Sequence, residues 1–234
     1  MTQRQEEILK TIVEYFVQTA NPVGSRALSD QFGVSPATIR SEMYELEQMG
    51  FITHPHTSAG RMPTDAGYRY YVESLVRPNH KLDSTSRVRG AISRRVRSAG
   101  SPQSAIKISV DSLSQTTRNI AFATMGEAIY TKGFSQLFAR EEFDENAADI
   151  AGLLDNLELW LSETNVDSPV EAFIGEENAI GKSSGCSVIV ASYDSPFSDK
   201  SYIGVIGPTR QSYGQVMRIV ENTAKTLEEV LSEQ

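Results

Sequence analysis

Apolar positions in the first quarter of the chain recur every three or four residues, and this spacing predicts helices. The first helix is predicted to begin at a capping box formed by Thr2 and Gln5 and to end before Asn21 and Pro22. The predicted core face of this helix consists of Leu9, Ile12, Val13 and Phe16.

Two shorter helices are predicted to follow, joined by a tight turn. We expect Ser25 to cap a helix over residues 26–31, which Gly33 closes. Ser35 is a favourable cap for the next helix, and Pro36 is tolerated at its first position. The predicted core face of this next helix consists of Ile39, Met43 and Leu46. Two helices joined so closely predict a helix-turn-helix.

A short hairpin and a further helix are predicted to complete this region. Strands are predicted at residues 51–54 and 61–62, with a polar loop over residues 55–60. Asp65 starts a helix whose apolar face consists of Tyr68, Tyr71, Val72 and Leu75. The pattern therefore predicts a winged helix-turn-helix domain over residues 1–76.

The rest of the chain has a different pattern. Residues 77–101 contain many arginines and few large apolar residues, which predicts a basic linker, either a mobile tether or a solvated helix. Over residues 102–234, strands are predicted at 119–124, 128–134, 170–174, 187–193 and 202–206, the first two joined at Gly126 and Glu127. With the helices predicted between them, these strands indicate an α+β domain built on one sheet.

Helices in this second domain are predicted at three places. The first covers residues 105–113, the second begins at Asp144, and the last begins at a capping box of Ser212 and Gln215. The inner face of the second is predicted to be Ala147, Ile150, Leu154, Leu157 and Leu161. That of the last is predicted to be Val216, Ile219, Val220, Thr223, Leu227 and Val230.

Charge is divided unevenly along the chain. The formal net charge is −8, which does not suit a protein that binds a polyanion. However, residues 1–100 hold 13 Lys/Arg and 10 Asp/Glu, a net of +3, whereas residues 101–234 hold 9 and 20, a net of −11. Because phosphate binding depends on the local field, the first part of the chain can face nucleic acid.

Several features predict a cytoplasmic protein without disulfides. Cys186 is the only cysteine, so no intrachain disulfide can form. No apolar run is long enough to span a bilayer, and the polar start of the chain does not resemble a signal peptide.

The third predicted helix carries the main candidates for DNA contact. Its outward positions combine short polar groups, a methyl group and a guanidinium, which suit base edges in the major groove, although an ordinary solvated face is the alternative. The candidates on and before this helix are Ser35, Ala37, Thr38, Arg40, Ser41 and Tyr44. Ser25, the predicted cap of the preceding helix, and Arg26 of that helix join them, with Arg26 as a candidate phosphate contact.

The loop of the predicted hairpin supplies the remaining candidates. It is small and polar, and Arg61 gives it one fixed positive charge for phosphate or the minor groove. The wing candidates are His56, Thr57, Ser58, Gly60 and Arg61. Two histidines, His54 and His56, without a cysteine or a nearby carboxylate make a poor metal-ligand set.

No catalytic chemistry is predicted. Residues 175–183 resemble a phosphate-binding loop, but five residues separate its glycines where that loop needs four, and a strand pattern follows. Cys186 precedes an apolar strand and is expected to be a packed core residue. We therefore expect neither an enzyme nor a bound metal or cofactor.

Residues 1–76 resemble the N-terminal region of the heat-inducible transcription repressor family HrcA. The segments that carry the resemblance are RQEEIL (4–9), PVGSR (22–26), VSPATIR (34–40), PHTSAGR (55–61), PTD (63–65) and GYRYYV (67–72). The second domain resembles the GAF-like domain of the same family, through GFSQLF (133–138), IGEEN (174–178), VASY (190–193) and IGVIGPTR (203–210).

This resemblance implies a dimeric repressor of chaperone operons that binds an inverted-repeat operator, the CIRCE element. It also implies modulation by a GroEL-type chaperonin and a GAF-like antiparallel sheet with flanking helices. Residues 119–134 leave no room for the dimerising domain that is usual in this family, which predicts a short form with a different dimer interface. The alternative function is a regulator gated by a metabolite bound to the GAF-like domain.

Overall fold

The computed structural model describes residues 1–55, 60–76, 86–140, 143, 146–164, 166, 168–178, 182 and 184–233. The chain forms two compact units. The first comprises residues 1–80 with 210–212, and the second comprises residues 81–209 with 213–234. Within the described residues, no helix combines the length and the apolar character needed to cross a bilayer.

The first unit is a winged helix-turn-helix, as predicted. Its elements are α1 (Gln3–Thr19), α2 (Ser25–Phe32), α3 (Pro36–Gln48), β1 (Ile52–Thr53), β2 (Met62–Pro63) and α4 (Asp65–Val76). The two strands are antiparallel, with Ile52 opposite Pro63 and Thr53 opposite Met62.

Helix caps in this unit follow the sequence closely. The capping box at Thr2 is confirmed: its Oγ1 accepts from the Gln5 backbone, and the Gln5 side chain accepts from the Thr2 backbone. Gly33 closes α2 in the left-handed conformation, at φ 63°. The predicted cap at Ser25 is wrong by one position. Ser25 is the first helical residue, and Gly24 occupies the cap without a side-chain hydrogen bond.

The core of the first unit is formed by the predicted faces of its helices. Fully burying one aliphatic side chain stabilises a fold by about 1.5–3 kcal/mol, so this cluster dominates the stability of the small unit. Phe16, predicted as part of the core, is only half-buried. The buried apolar residues are Ile8, Leu9, Ile12, Val13, Val23, Leu28, Ile39, Met43, Leu46, Ile52, Tyr68 and Val72.

Two glycines allow close backbone approach in this unit. Arg61 exchanges two backbone hydrogen bonds of 2.9 Å with Val23, and a Cβ on Gly60 would lie 2.5 Å from the Val23 carbonyl oxygen. A Cβ on Gly67 would lie 2.1 Å from the carbonyl oxygen of Phe51. Both positions therefore require glycine for reasons of packing.

The second unit is an α+β domain, as predicted. Its elements are α5 (Ser86–Arg97), α6 (Pro102–Thr117), β3 (Ile120–Met125), β4 (Ala128–Lys132), α7 (Phe134–Phe138), α8 (Ala147–Asp155), α9 (Leu157–Glu163), β5 (Glu171–Ile174), β6 (Cys186–Ser195), β7 (Ser198–Pro208) and α10 (Tyr213–Ser232). The strands form an antiparallel sheet in the order β4-β3-β7-β6-β5. A two-residue turn with Gly126 at φ 65° joins β3 to β4, as predicted.

Both faces of the sheet are covered. Phe122, Val188 and Ile206 point to a cluster that includes Ile150 of α8 and Trp160 of α9. The alternate strand positions face the other way, where α6 packs on β3 and α10 packs on β6. The six positions predicted as the core face of α10 are all buried.

Residues 86–97, part of the predicted basic linker, form a helix, one of the two forms expected for that segment, and this helix lies within the second unit. Helix α5 packs against α6 and α10. Ile92 and Val96, one helical turn apart, are buried there. Two apolar residues at this spacing are enough to anchor one side of an otherwise arginine-rich helix.

The helix predicted to begin at Asp144 is divided. Asp144 lies outside the described residues, and the helical segment ends at Asp155 and restarts at Leu157. Leu153 is buried in place of the predicted Leu154, which is half-buried, and Ala147 is exposed. The buried positions Ile150, Leu153, Leu157, Trp160 and Leu161 still follow one helical period, and the predicted face was rotated slightly away from it, towards Ala147 and Leu154.

Candidate nucleic-acid interface

Helix α3 has one face in the core and one in solvent. Ile39, Met43 and Leu46 are buried, as their spacing predicted. On the opposite side Arg40 and Tyr44 are exposed, and Tyr44 keeps 59% of its surface accessible. The other exposed candidates on this helix are Ala37 and Ser41. The structure thus brings a guanidinium, two hydroxyls and a methyl group onto one accessible face.

The start of α3 is held by its own side chains. Ser35 Oγ accepts a hydrogen bond from the Thr38 backbone at 3.1 Å, and the Ser35 and Thr38 hydroxyls lie 2.9 Å apart. Pro36 occupies the first turn, as predicted. Both candidate hydroxyls therefore have a local structural role. The partial positive charge of the helix N-terminus also favours an anion here.

Arg61 has an intramolecular partner that the sequence pattern did not indicate. Its Nε and Nη2 donate to Oε2 of Glu47 at 3.1 and 2.9 Å. The other oxygen of the same carboxylate, Oε1, accepts from Nδ1 of His54. Glu47 lies in the last turn of α3, while His54 follows β1 and Arg61 precedes β2. One carboxylate therefore connects α3 to the residues that flank both strands of the wing.

The charge state of Glu47 follows from these contacts. Burial raises its pKa, but the hydrogen bond from His54 and the charge of Arg61 together outweigh this, and the net pKa lies below its ordinary value. The carboxylate is thus ionised near neutrality. Glu47 lies seven and fourteen residues before its two partners, a spacing that no local motif uses, so only the tertiary fold reveals the contact.

The other predicted contacts are distributed unevenly. His56, Thr57 and Ser58 lie outside the described residues. Arg26 is exposed on α2, and Ser25 is half-buried at the start of that helix. Gly60 is explained by its close approach to Val23. The assignment of these residues to DNA contact stays a prediction.

Chemistry of other kinds finds little support in the described part of the chain. Cys186 is fully buried in the sheet, as predicted for a core residue. Glu177, in the segment that resembles a phosphate-binding loop, accepts a backbone hydrogen bond from Ile174. Among the described residues, no group of three or more His, Cys, Asp and Glu is placed to hold a metal ion.

A helix-turn-helix with an exposed polar face, followed by a two-stranded wing and a separate α+β domain, defines a winged-helix transcription regulator. Comparisons with known families identify which one. Residues 1–74 match the family model "Winged helix-turn-helix transcription repressor, HrcA DNA-binding", and residues 79–217 match "HrcA protein C terminal domain". The chain belongs to the HrcA family of heat-inducible transcription repressors.

Two relatives show how the likeness is distributed. The repressor of Desulfitobacterium hafniense is 50% identical over 90 residues, which cover 38% of this chain but only 26% of the relative. That of Halalkalibacterium halodurans is 27% identical over 341 aligned positions, covering 100% of this chain and 98% of the relative. This chain has 234 residues, so at least 107 of the aligned positions, the difference between 341 and 234, have no residue in it.

A solved structure supports the fold. A crystal structure described as that of a hypothetical protein has a TM-score of 0.83 at 18% identity, covering 100% of this chain and 99% of the other. Together with the family match, the comparisons support negative regulation of heat-inducible transcription by a DNA-binding protein. They do not support the alternative of a metabolite-gated regulator.

Proposed function

We propose that this repressor binds an inverted-repeat operator of the CIRCE type as a homodimer and thereby represses chaperone operons. The observation that carries the proposal is the exposed polar face of α3, opposite a fully buried apolar stripe. A recognition helix with this division enters the major groove with its N-terminal half towards the bases. The wing then flanks the groove on the backbone side.

Individual side chains have distinct roles in this proposal. Arg40 is the best candidate for a base contact, because a guanidinium can bind guanine through two hydrogen bonds. Thr38, Ser41 and Tyr44 face bases or the adjoining phosphates, and Arg26 meets the backbone. The wing residues His56, Thr57, Ser58, Gly60 and Arg61 complete the set, together with Ser25, Ser35 and Ala37.

A two-fold symmetric dimer matches the symmetry of an inverted repeat. This chain is shorter than the Halalkalibacterium halodurans relative to which it aligns over its whole length. We therefore infer that its dimer contacts come from residues 77–101 or from the surface of the α+β domain. Light scattering at micromolar concentration is expected to give the mass of a dimer. A strict monomer that binds one half-site at a time would overturn this part of the proposal.

We further propose that a GroEL-type chaperonin modulates the repressor. We also propose that the repressor works in the cytoplasm, without catalytic activity and without a cofactor. This rests on the family resemblance. Operator binding is measured across a temperature series, with and without chaperonin. We expect a larger fraction of the repressor to bind the operator when chaperonin is present. Equal binding in both series at every temperature would contradict it.

A gel-shift titration tests the central claim. The full chain is titrated against a duplex that carries the inverted repeat and against a scrambled duplex of equal length and composition. We expect a clear preference for the inverted repeat at physiological salt, since specific complexes are usually about 10³-fold or more tighter than non-specific ones. Equal affinity for the two duplexes would refute the proposed operator.

A further inference from the structure

The wing of this protein has little backbone support of its own. Each of its strands is two residues long, and β2 ends in Pro63, which has no N–H to donate. An isolated two-stranded hairpin is at best marginally stable in water. The backbone bridge between Val23 and Arg61 adds one further anchor. Other contacts must therefore help to fix the direction in which the wing leaves the domain.

Glu47 supplies such a contact at both ends of the wing. Its Oε1 accepts from His54, which follows β1, and its Oε2 accepts from Arg61, which precedes β2. The side chains of Glu47 and Arg61 are only 17% and 23% exposed, so the pair is shielded from much of the solvent screening that weakens surface ion pairs. Because Glu47 lies on α3, the recognition helix and the wing are tied to each other.

We propose that Glu47 is a positioning residue of the DNA-binding surface, which orients the wing relative to α3 through Arg61 and His54 without contacting DNA itself. This inference rests on the proposed function. An unpaired acidic side chain beside a phosphate backbone would repel it, and removing such a charge would tighten binding. The positioning role makes the opposite prediction, since the carboxylate is already paired with Arg61.

A matched pair of substitutions on α3 separates the two effects. Glu47→Gln and Glu42→Gln each remove one negative charge from the same helix, but Glu42 pairs with Arg4, at 3.6 Å, and has no ion pair with the described residues of the wing. The full chain is tested on the inverted-repeat duplex and on the scrambled duplex. We expect Glu47→Gln to lose about 10-fold in affinity for the operator, and less for scrambled DNA, whereas Glu42→Gln stays equal or binds more tightly.

A double-mutant cycle identifies the route of the effect. If Glu47 acts mainly through Arg61, the double variant Glu47→Gln/Arg61→Ala binds within about 2-fold of Arg61→Ala alone, since the second change removes nothing further. Losses that multiply in this pair, and also in the pair Glu47→Gln/His54→Ala, would overturn the inference. So would a Glu47→Gln variant that binds the operator as tightly as the wild type.

A conservative variant keeps the test decisive if Glu47→Gln does not fold. Glu47→Asp retains the charge but shortens the side chain by one methylene, so it withdraws the carboxylate from both partners. We expect an intermediate loss of operator affinity, with circular dichroism unchanged. Unchanged affinity in this variant would overturn the inference. If the wild type itself shows no operator preference, the proposed function fails instead, which distinguishes the two failures.

Discussion

The two units of this protein use polar side chains in opposite ways. In the first, Arg40 and Tyr44 extend into solvent from a helix whose other face is fully buried. In the second, two tyrosine hydroxyls are hydrogen-bonded inside the fold. The Tyr213 hydroxyl donates to the Thr209 carbonyl oxygen and hydrogen-bonds Ser187, and burial raises the pKa of Tyr193, whose hydroxyl donates to the Thr124 carbonyl oxygen.

Charge does not follow the same division. The first unit, residues 1–80 with 210–212, holds 8 Lys/Arg and 9 Asp/Glu, a net of −1, whereas the second unit holds 14 and 21, a net of −7. The positive charge of residues 1–100 comes mainly from residues 81–100, which hold 6 Lys/Arg and 1 Asp/Glu and belong to the second unit. The comparison shows that the exposed polar face of α3 belongs to a small unit with few core residues, while the larger unit is organised around a sheet packed on both faces. Substitutions should therefore separate stability from DNA binding by unit.

The largest effect is expected from Phe122→Ala in the second unit. This side chain is fully buried in the centre of the sheet, and truncation leaves a cavity that costs about 3–5 kcal/mol of unfolding free energy. Trp160, the only tryptophan, lies in the same cluster, so its fluorescence in a denaturant titration measures the loss. The control is Leu159→Ala, whose side chain is 60% exposed and should change stability by less than about 0.5 kcal/mol. Equal losses would contradict the described packing.

Gly67→Ala should destabilise the first unit by about 2–4 kcal/mol, because the new Cβ meets the Phe51 carbonyl oxygen at 2.1 Å and the backbone must shift. The same substitution at Gly90, within α5 of the second unit, meets nothing within 4 Å and should stabilise by about 0.5–1 kcal/mol. Circular dichroism follows both units and Trp160 fluorescence follows the second. A fluorescence transition that shifts with Gly67→Ala would show that the units do not unfold separately.

Arg40→Ala should weaken operator binding by about 1–3 kcal/mol, with lost discrimination at one base position if Arg40 contacts a base. If Arg40 contacts only phosphate, the loss of affinity should be similar on all DNA sequences, and the affinity of the variant should depend less on salt concentration than that of the wild type. Competition gel shifts with single-base operator variants distinguish these results. The matched substitution is Arg94→Ala, on an exposed arginine of α5 in the second unit. A comparable loss there would show that both units contact DNA.

The smallest effect concerns acid pH. The folded-state pKa of Glu47 lies below its ordinary value, so its contacts stabilise the first unit above the unfolded-state pKa, and this contribution disappears as the pH falls through the folded-state pKa. At neutral pH we expect Glu47→Gln to cost about 0.5–1.5 kcal/mol. The difference from wild type, measured by denaturant titration with circular dichroism, should shrink on acidification. A difference that is constant down to pH 3 would exclude an ionised Glu47 as its source.

Local signals in the sequence were most reliable where one or two residues decide the structure. The capping box at Thr2, the closing Gly33 and the hairpin turn at Gly126 were all predicted correctly, because each depends on neighbours within a few positions. The division of the helix at Asn156 was missed, since nothing in the apolar period marks it. The sequence did not decide whether residues 86–97 form a helix or a mobile tether, because the stability of this helix comes from packing on α6 and α10.

The candidate interface was predicted only in part. The exposed face of α3 follows from helical periodicity, once Ile39, Met43 and Leu46 are assigned to the core. The partner of Arg61 does not follow from any period, because the chain must fold back from β1 and β2 to bring His54 and Arg61 to one carboxylate. Contacts between residues that are distant in sequence depend on the packing of whole elements.

By itself, the sequence determined the helix-turn-helix, the wing and the division of charge, since these depend on helical spacing, cap residues and composition. The tertiary structure alone decided that Gly60 and Gly67 are required by close backbone approach, and that Glu47 connects α3 to the wing. The physical reason is the distance along the chain over which each interaction acts. Spacing and caps act over one or two turns of chain, whereas backbone approach and ion pairing depend on where distant segments meet after the core has packed.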